Sequence, residues 1–173
     1  MPELPETETM ARDLHREIAG RTIERVAVRR PDVLREVNAK ELARRTRCVT
    51  IVRSWRRAKL VVLDLSSTDR IVVQPRFTGA LLLDRGALDE SERRFSTLEF
   101  ALGDSLTLHY RDIRRLGTVS LMSPERWASY VKLERELRSI EARSNKRVQR
   151  ELKSRWRARA REVRRARRYG WKQ

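Results

Sequence analysis

The chain is poor in the residues that staple or interrupt a fold. It has one cysteine, Cys48, and two histidines, His15 and His109, among 173 residues. One thiol excludes an intramolecular disulfide and any Cys-x-x-Cys zinc site, and so few soft ligands argue against a structural metal. No zinc, other metal or cofactor is therefore expected. No apolar run approaches the roughly 20 residues of a membrane span, and no signal-peptide pattern opens the chain. These absences read as a cytosolic protein, or a nucleoid-associated one in a bacterium, with no membrane partner.

Acidic residues are also in deficit. Against 41 Lys and Arg stand 24 Asp and Glu, a net charge of +17. Such a balance points to a polyanionic partner, most simply nucleic acid. The imbalance is local: residues 132–173 hold 17 basic and 5 acidic residues, leaving 24 and 19 in the first 131. Two regions of different character follow, expected as a domain over 1–122 and an Arg-rich helical or partly disordered extension over 123–173.

Residues 6–19 place Met10, Leu14 and Ile18 four apart, which predicts a helix with one buried stripe, stopped by Gly20. The period then changes. Alternation over 22–29 and β-rich runs at 49–55, 60–65, 71–73, 80–83, 97–102, 106–110 and 118–121 predict many short strands, hence a sandwich or barrel. Residues 38–45 read as a short helix between the first two strands. Ser123-Pro124-Glu125-Arg126 is a helix start, with Trp127, Tyr130, Val131 and Leu133 on one face. Beyond it, Leu137, Ile140, Val148, Leu152, Trp156 and Val163 punctuate a field of arginine and lysine. One or two long basic helices fit this composition; they would pack on the domain, fold only on a polyanion, or stay disordered.

The first nine residues, Met-Pro-Glu-Leu-Pro-Glu-Thr-Glu-Thr, carry the sharpest chemistry. Loss of Met1 would make Pro2 a terminal secondary amine, with an ordinary α-amino pKa near ~8. Such an amine attacks an aldehyde-level carbon to form an iminium, the electron sink of a covalent lyase. Glu3 and Glu6 lie within one turn and could move protons. The bland alternative is that acidic residues and proline simply suit a helix N-terminus.

This opening string resembles that of the formamidopyrimidine-DNA glycosylase (Fpg/Nei) family of base-excision repair enzymes. Three internal segments extend the resemblance. Arg56-Arg57-Ala58-Lys59-Leu60 resembles the family's Arg-Arg-x-Lys segment, whose strand lysine serves as a proton donor in β-elimination. Gln74-Pro75-Arg76-Phe77-Thr78-Gly79 resembles His-Leu-x-Met-Thr/Ser-Gly, with Phe77 where the family has a methionine filling the gap left by the extruded nucleotide. Asp112-Ile113-Arg114-Arg115-Leu116-Gly117 resembles Asp-Pro-Arg-Arg-Phe-Gly, with Arg114 in the place of a DNA-contacting arginine and Leu116 in place of the aromatic wedge. Each has a plainer reading: Lys59 as a solvated strand-end lysine, 74–79 as a hairpin, Arg114 as the partner of Asp112 in a turn.

The resemblance implies an α+β, mainly β fold, an N-terminal helix packed on a two-sheet antiparallel β-sandwich, followed here by the basic helical tail. It implies a glycosylase and abasic-site (AP) lyase acting on oxidised purines such as 8-oxoguanine and formamidopyrimidine in double-stranded DNA. Pro2, Glu3, Glu6 and Lys59 would be catalytic, and Arg57, Arg76, Phe77, Arg114, Arg115 and Leu116 would bind DNA. It covers residues 1 to about 131. The family's Lys-His-x-His histidine has no counterpart at 94–97, so that its DNA contact is lost or is replaced by Arg93 or Arg94. The family's helix–two-turn–helix and zinc-finger regions have no match in these 173 residues, and the tail would supply salt-sensitive grip instead. A second reading is a non-catalytic nucleic-acid binder derived from this domain, with RNA as a further partner of the tail.

Overall fold

The structure, a computed structural model, describes residues 4–169, with side chains over 6–159 other than those of Leu152 and Ala158. Two compact units divide the chain, Met1–Trp127 and Ala128–Gln173. Among the described residues no helix is long and apolar enough to cross a membrane.

The first unit is a two-sheet sandwich flanked by a helix. Helix α1 (Leu4–Ile18) buries Leu14 and Ile18 of the stripe its spacing predicts, with Ala11 beside them, while Met10 is half-buried against the core. It ends where Gly20 adopts a φ of 82°, a left-handed conformation that costs glycine little. Six strands, β1 (Thr22–Ile23), β3 (Leu34–Arg35), β4 (Val49–Arg57), β5 (Leu60–Leu65), β6 (Arg70–Gln74) and β10 (Thr118–Met122), form one sheet in the order β1-β4-β5-β6-β10-β3. The second sheet runs β2 (Arg25–Val28), β8 (Ser96–Ala101), β9 (Thr107–Asp112) and β7 (Gly79–Asp84). Isoleucine, valine and leucine from the facing surfaces, with Phe100 and Tyr110, make one continuous core.

The alternating stretch 22–29 is not one strand. β1 pairs with β4 in the first sheet, whereas β2 pairs with β8 in the second. The amide of Glu24 already donates to Ala101 O at 2.8 Å, so the chain turns the corner between sheets within a single residue. One ladder departs from the antiparallel rule: Leu34 and Arg35 pair parallel to Val119 and Ser120. Helix α2 (Ala39–Thr46) is capped by Asn38, whose side chain accepts from the Glu41 amide at 2.8 Å. A short helix α3 (Glu90–Arg93) sits in the β7–β8 connection.

Helix α4 (Pro124–Tyr169) is a single helix of 46 residues. Its first turn packs on β4: Trp127 is buried and meets Trp55 edge to face, with centroids 5.8 Å apart. Of the expected apolar face, Tyr130 and Val131 are half-buried and Leu133 is 58% exposed.

Candidate nucleic-acid interface and active end

Strand register brings three connections to one end of the sandwich. Arg57 pairs with Leu60 across the two-residue turn that holds Ala58 and Lys59. Val61 pairs with Val73, and Gln74 with Thr118, so the 58–59 turn, the 75–78 turn and the 113–117 loop are neighbours. The last two are the paired crossings between sheets, β6 to β7 and β9 to β10, and Gly79 is registered opposite Asp112.

Helix α1 points its start at the same end. Gly20 N donates to Ile51 O at 2.8 Å, Ser54 N to His15 Nδ1 at 3.3 Å, and Arg56 Nε to Glu8 Oε2 at 2.6 Å. The helix therefore runs antiparallel to β4, and its first turn lies near the Arg57 end of that strand. Glu8 also accepts from Arg12 at 2.7 Å; the Arg56 and Arg12 guanidinium groups hold its carboxyl below the usual glutamate range. Glu6 is exposed in that first turn. Pro2 and Glu3 lie outside the described residues.

The two crossing loops are locked together by one carboxylate. Asp112, 1% exposed, accepts from Thr78 Oγ1 at 2.7 Å and Arg115 N at 3.1 Å on Oδ1. Its Oδ2 accepts from Gly117 N at 2.7 Å and Tyr110 Oη at 3.3 Å. Thr78 in turn accepts from Arg114 N at 3.2 Å. Burial, then the adjacent Asp112 charge, pushes the Tyr110 phenol far above its ordinary range, so it stays a donor. The Tyr110 hydroxyl sits against two glycines; a Cβ on Gly117 would lie 1.8 Å from it, and one on Gly79 2.8 Å. Asp112 thus pairs with backbone amides and hydroxyls, not with the Arg114 side chain as the plainer reading of that loop had it. An Asp with Gly five residues on is a turn signal visible in the sequence, though its reach to Thr78 is not.

On this buried frame the loops raise exposed apolar side chains: Phe77 at 54%, Ile113 at 48% and Leu116 at 43%. Arg76, Arg114 and Arg115 are exposed beside them. Arg115 adopts a φ of 52° and places Nη1 3.5 Å from Asp32 Oδ2. A cleft of about 360 Å³ opens alongside, lined by Arg30, Arg94, Phe95, Thr97, Ile113 and Arg115 among others. Arg94 lies over the Phe95 ring at 4.6 Å. Arg30, on a loop with no motif, is a basic member of this cleft that sequence reading missed.

Two predicted positions differ in detail. Lys59 is on the turn before β5, not in the strand, and is exposed. Arg57 is half-buried with its guanidinium 5.7 Å from the centre of the Trp127 ring, which Arg70 also approaches at 5.4 Å. Elsewhere acidic groups absorb basic charge: Asp64 accepts from Arg53, Trp55 and Arg70, and Asp69 takes Arg45 in a bidentate pair. Among the described residues, no three His, Cys, Asp or Glu side chains converge as metal ligands.

Residues 1–119 match the model of the formamidopyrimidine-DNA glycosylase N-terminal domain. The chain belongs to that family. The formamidopyrimidine-DNA glycosylase of Carboxydothermus hydrogenoformans is 41% identical over 126 residues, covering 72% of this chain and 46% of the relative. That of Bacillus subtilis is 34% identical over 125 residues, 72% of this chain and 44% of the relative. The Lactococcus lactis Fpg solved with abasic-site DNA superposes with a TM-score of 0.68 at 26% identity, covering 75% of this chain and 47% of that one. Its complex with N7-benzyl-Fapy-dG DNA gives 0.69 at the same identity and the same coverage of both chains. The chain spans less than half the length of these relatives. The glycosylase N-terminal fold, a helix with two mainly antiparallel sheets followed by a helix, is what the sequence resemblance implied.

Proposed function

We propose that the chain is a base-excision-repair DNA glycosylase and AP lyase acting on oxidised purines, with Pro2 as nucleophile. One observation carries the reading: the first turn of α1, the Lys59 turn and the two loops bearing Phe77 and Leu116 all meet at one end of a domain of this family. The amine of Pro2, with Met1 removed, attacks C1′ of the damaged nucleoside. The N-glycosidic bond breaks, the base leaves with a proton, and sugar ring opening yields an iminium. That iminium acidifies the C2′ proton; its removal expels the 3′ phosphate, and hydrolysis returns the amine. Glu3 assists base release and proton movement, Glu6 orients the terminus or sugar, and Lys59 supplies the proton in β-elimination.

DNA is held by Arg57, Arg76, Arg114 and Arg115, while Phe77 and Leu116 occupy the stack once the nucleotide is extruded. An apolar wedge needs a rigid base, and the Asp112 bonds supply one.

Borohydride trapping on abasic-site duplex DNA tests this. The expected result is a covalent adduct with the full chain, absent from Pro2→Gly and weakened in Lys59→Met. Salt-sensitive binding with no adduct, unchanged by Pro2→Gly, moves the chain to the class of non-catalytic DNA binders.

A further inference from the structure

We propose that α4 carries a cationic ridge that lies along the sugar–phosphate backbone of duplex DNA, and that ridge geometry, not the tail's total charge, supplies non-specific grip. The inference rests on reading DNA as the polyanion; it does not require the lyase chemistry.

At about 100° per residue, Arg143, Lys146, Arg150, Lys153 and Arg157 fall within a sector of roughly 80° on the described helix. Their steps of three and four residues put successive cations about 4.5–6 Å apart along the axis, over about 21 Å in all. Arg161 and Arg164 continue the spacing in the sequence. Between residues 139 and 160 the carboxylates are Glu141 and Glu151, and both fall on the other side of the helix, with Leu137, Ile140 and Val148.

That segregation is unfavourable for a helix alone. Like charges at i,i+3 and i,i+4 repel, and a merely solvated helix is better served by interleaved opposite charges. Such pairs do occur off the ridge, at Glu134–Arg138 (2.6 Å) and Arg147–Glu151 (3.3 Å). Along the ridge the sequence stacks cation on cation, an arrangement that a row of phosphates relieves. A duplex strand presents one phosphate every 3.4 Å or so of axis, a closer spacing than the ridge step, so each long ridge side chain has a phosphate within its reach.

Two variants of the full chain with equal charge loss test the ridge. One replaces Arg143, Lys146, Arg150 and Lys153 by Gln; the other replaces Arg138, Arg147, Arg155 and Arg159 by Gln, which keeps helix propensity high in both. Affinity for an undamaged DNA duplex is measured against salt from about 50 to 200 mM. The ridge variant is expected to lose about 3.6 from the slope of log K against log salt, at about 0.9 per phosphate contact, and the off-ridge variant less than about 1. Equal losses in the two variants overturn the inference, as does ridge-dependent binding that is tighter for duplex RNA. Absence of a borohydride adduct from the unmodified chain, with the slope difference intact, defeats the lyase reading and leaves the ridge standing.

Discussion

Asp112→Asn isolates the device that holds the 75–78 and 113–117 loops together. The carboxylate accepts four hydrogen bonds, two on each oxygen. An amide of the same shape keeps one oxygen and turns an NH₂ toward the other pair of donors. Whichever way it flips, one backbone amide, that of Arg115 or of Gly117, faces a donor, and the hydroxyl beside it, Thr78 or Tyr110, has to turn round and accept. A buried group left unsatisfied costs about 1–3 kcal/mol, so the variant should lose roughly 1–3 kcal/mol. Against a domain stability of about 5–15 kcal/mol this is a large fraction. Urea denaturation followed by tryptophan fluorescence reads it as a lower midpoint with an unchanged slope. Asp112→Ala, which removes both carboxylate oxygens and leaves Arg115 N only the backbone carbonyl of residue 112, should fall further. The reasoning fails if Asp112→Asn unfolds within about 0.5 kcal/mol of the parent, a shift typical of an ordinary surface change. It fails equally if the alanine variant is no worse than the asparagine one.

Four further outcomes follow from the same structure. Gly117→Ala forces a Cβ to 1.8 Å from the Tyr110 hydroxyl and 2.7 Å from Gln74 O, so it should cost at least ~3 kcal/mol in the same urea assay. Trp127→Ala, which empties the contact with Trp55, should cost about 3–5 kcal/mol. His109 is held below its ordinary pKa mainly by burial, opposed by Glu99 and Asp84. A depressed base leaves the folded state with fewer protons than the unfolded one, so stability is full above about pH 6.5 and falls as pH drops toward the lower folded value; His109→Gln should flatten that part of the stability–pH curve. Phe77→Ala and Leu116→Ala, both at exposed side chains, should leave the urea midpoint within about 0.5 kcal/mol while weakening binding to abasic-site duplex by gel shift.

Local patterns in the sequence reveal local structure. The four-residue spacing of Met10, Leu14 and Ile18, with Gly20 after them, is enough to place α1, because a helix stripe and its stop involve neighbours along the chain. The run 60–65 reads as a strand for the same reason. What escaped depends on partners far away in sequence. Glu24 looks like any residue of an alternating strand until Ala101 is known to take its amide. Leu34 and Arg35 are too few to show a period, and their parallel pairing rests on Val119 and Ser120. The site divides the same way. Phe77, Arg114 and Leu116 carry a motif and are exposed at one end of the sandwich, whereas Asp112 is legible only as a turn residue, and its bond to Thr78 links positions 34 apart. Arg57 adds a second long-range link: its guanidinium lies 5.7 Å from the ring of Trp127, contributed by the first turn of α4, which its motif does not reveal.

On the proposed reading, the division between a buried frame and exposed side chains lets this domain depart from the family pattern at Phe77 and Leu116. Wedge and plug work by filling volume in a base stack, so they require apolar bulk held stiffly more than a particular side chain. Stiffness comes from Asp112, Tyr110, Gly79 and Gly117, which match the pattern or lie behind it and are buried. Bulk comes from Phe77 and Leu116, which are substituted and exposed. Exchanging Leu116 for Phe should therefore change abasic-site affinity without moving the urea midpoint, whereas any change at Asp112 should move both. A Leu116→Phe variant that destabilised the fold as much as Asp112→Asn would show that the wedge is part of the frame, and the separation argued here would be lost.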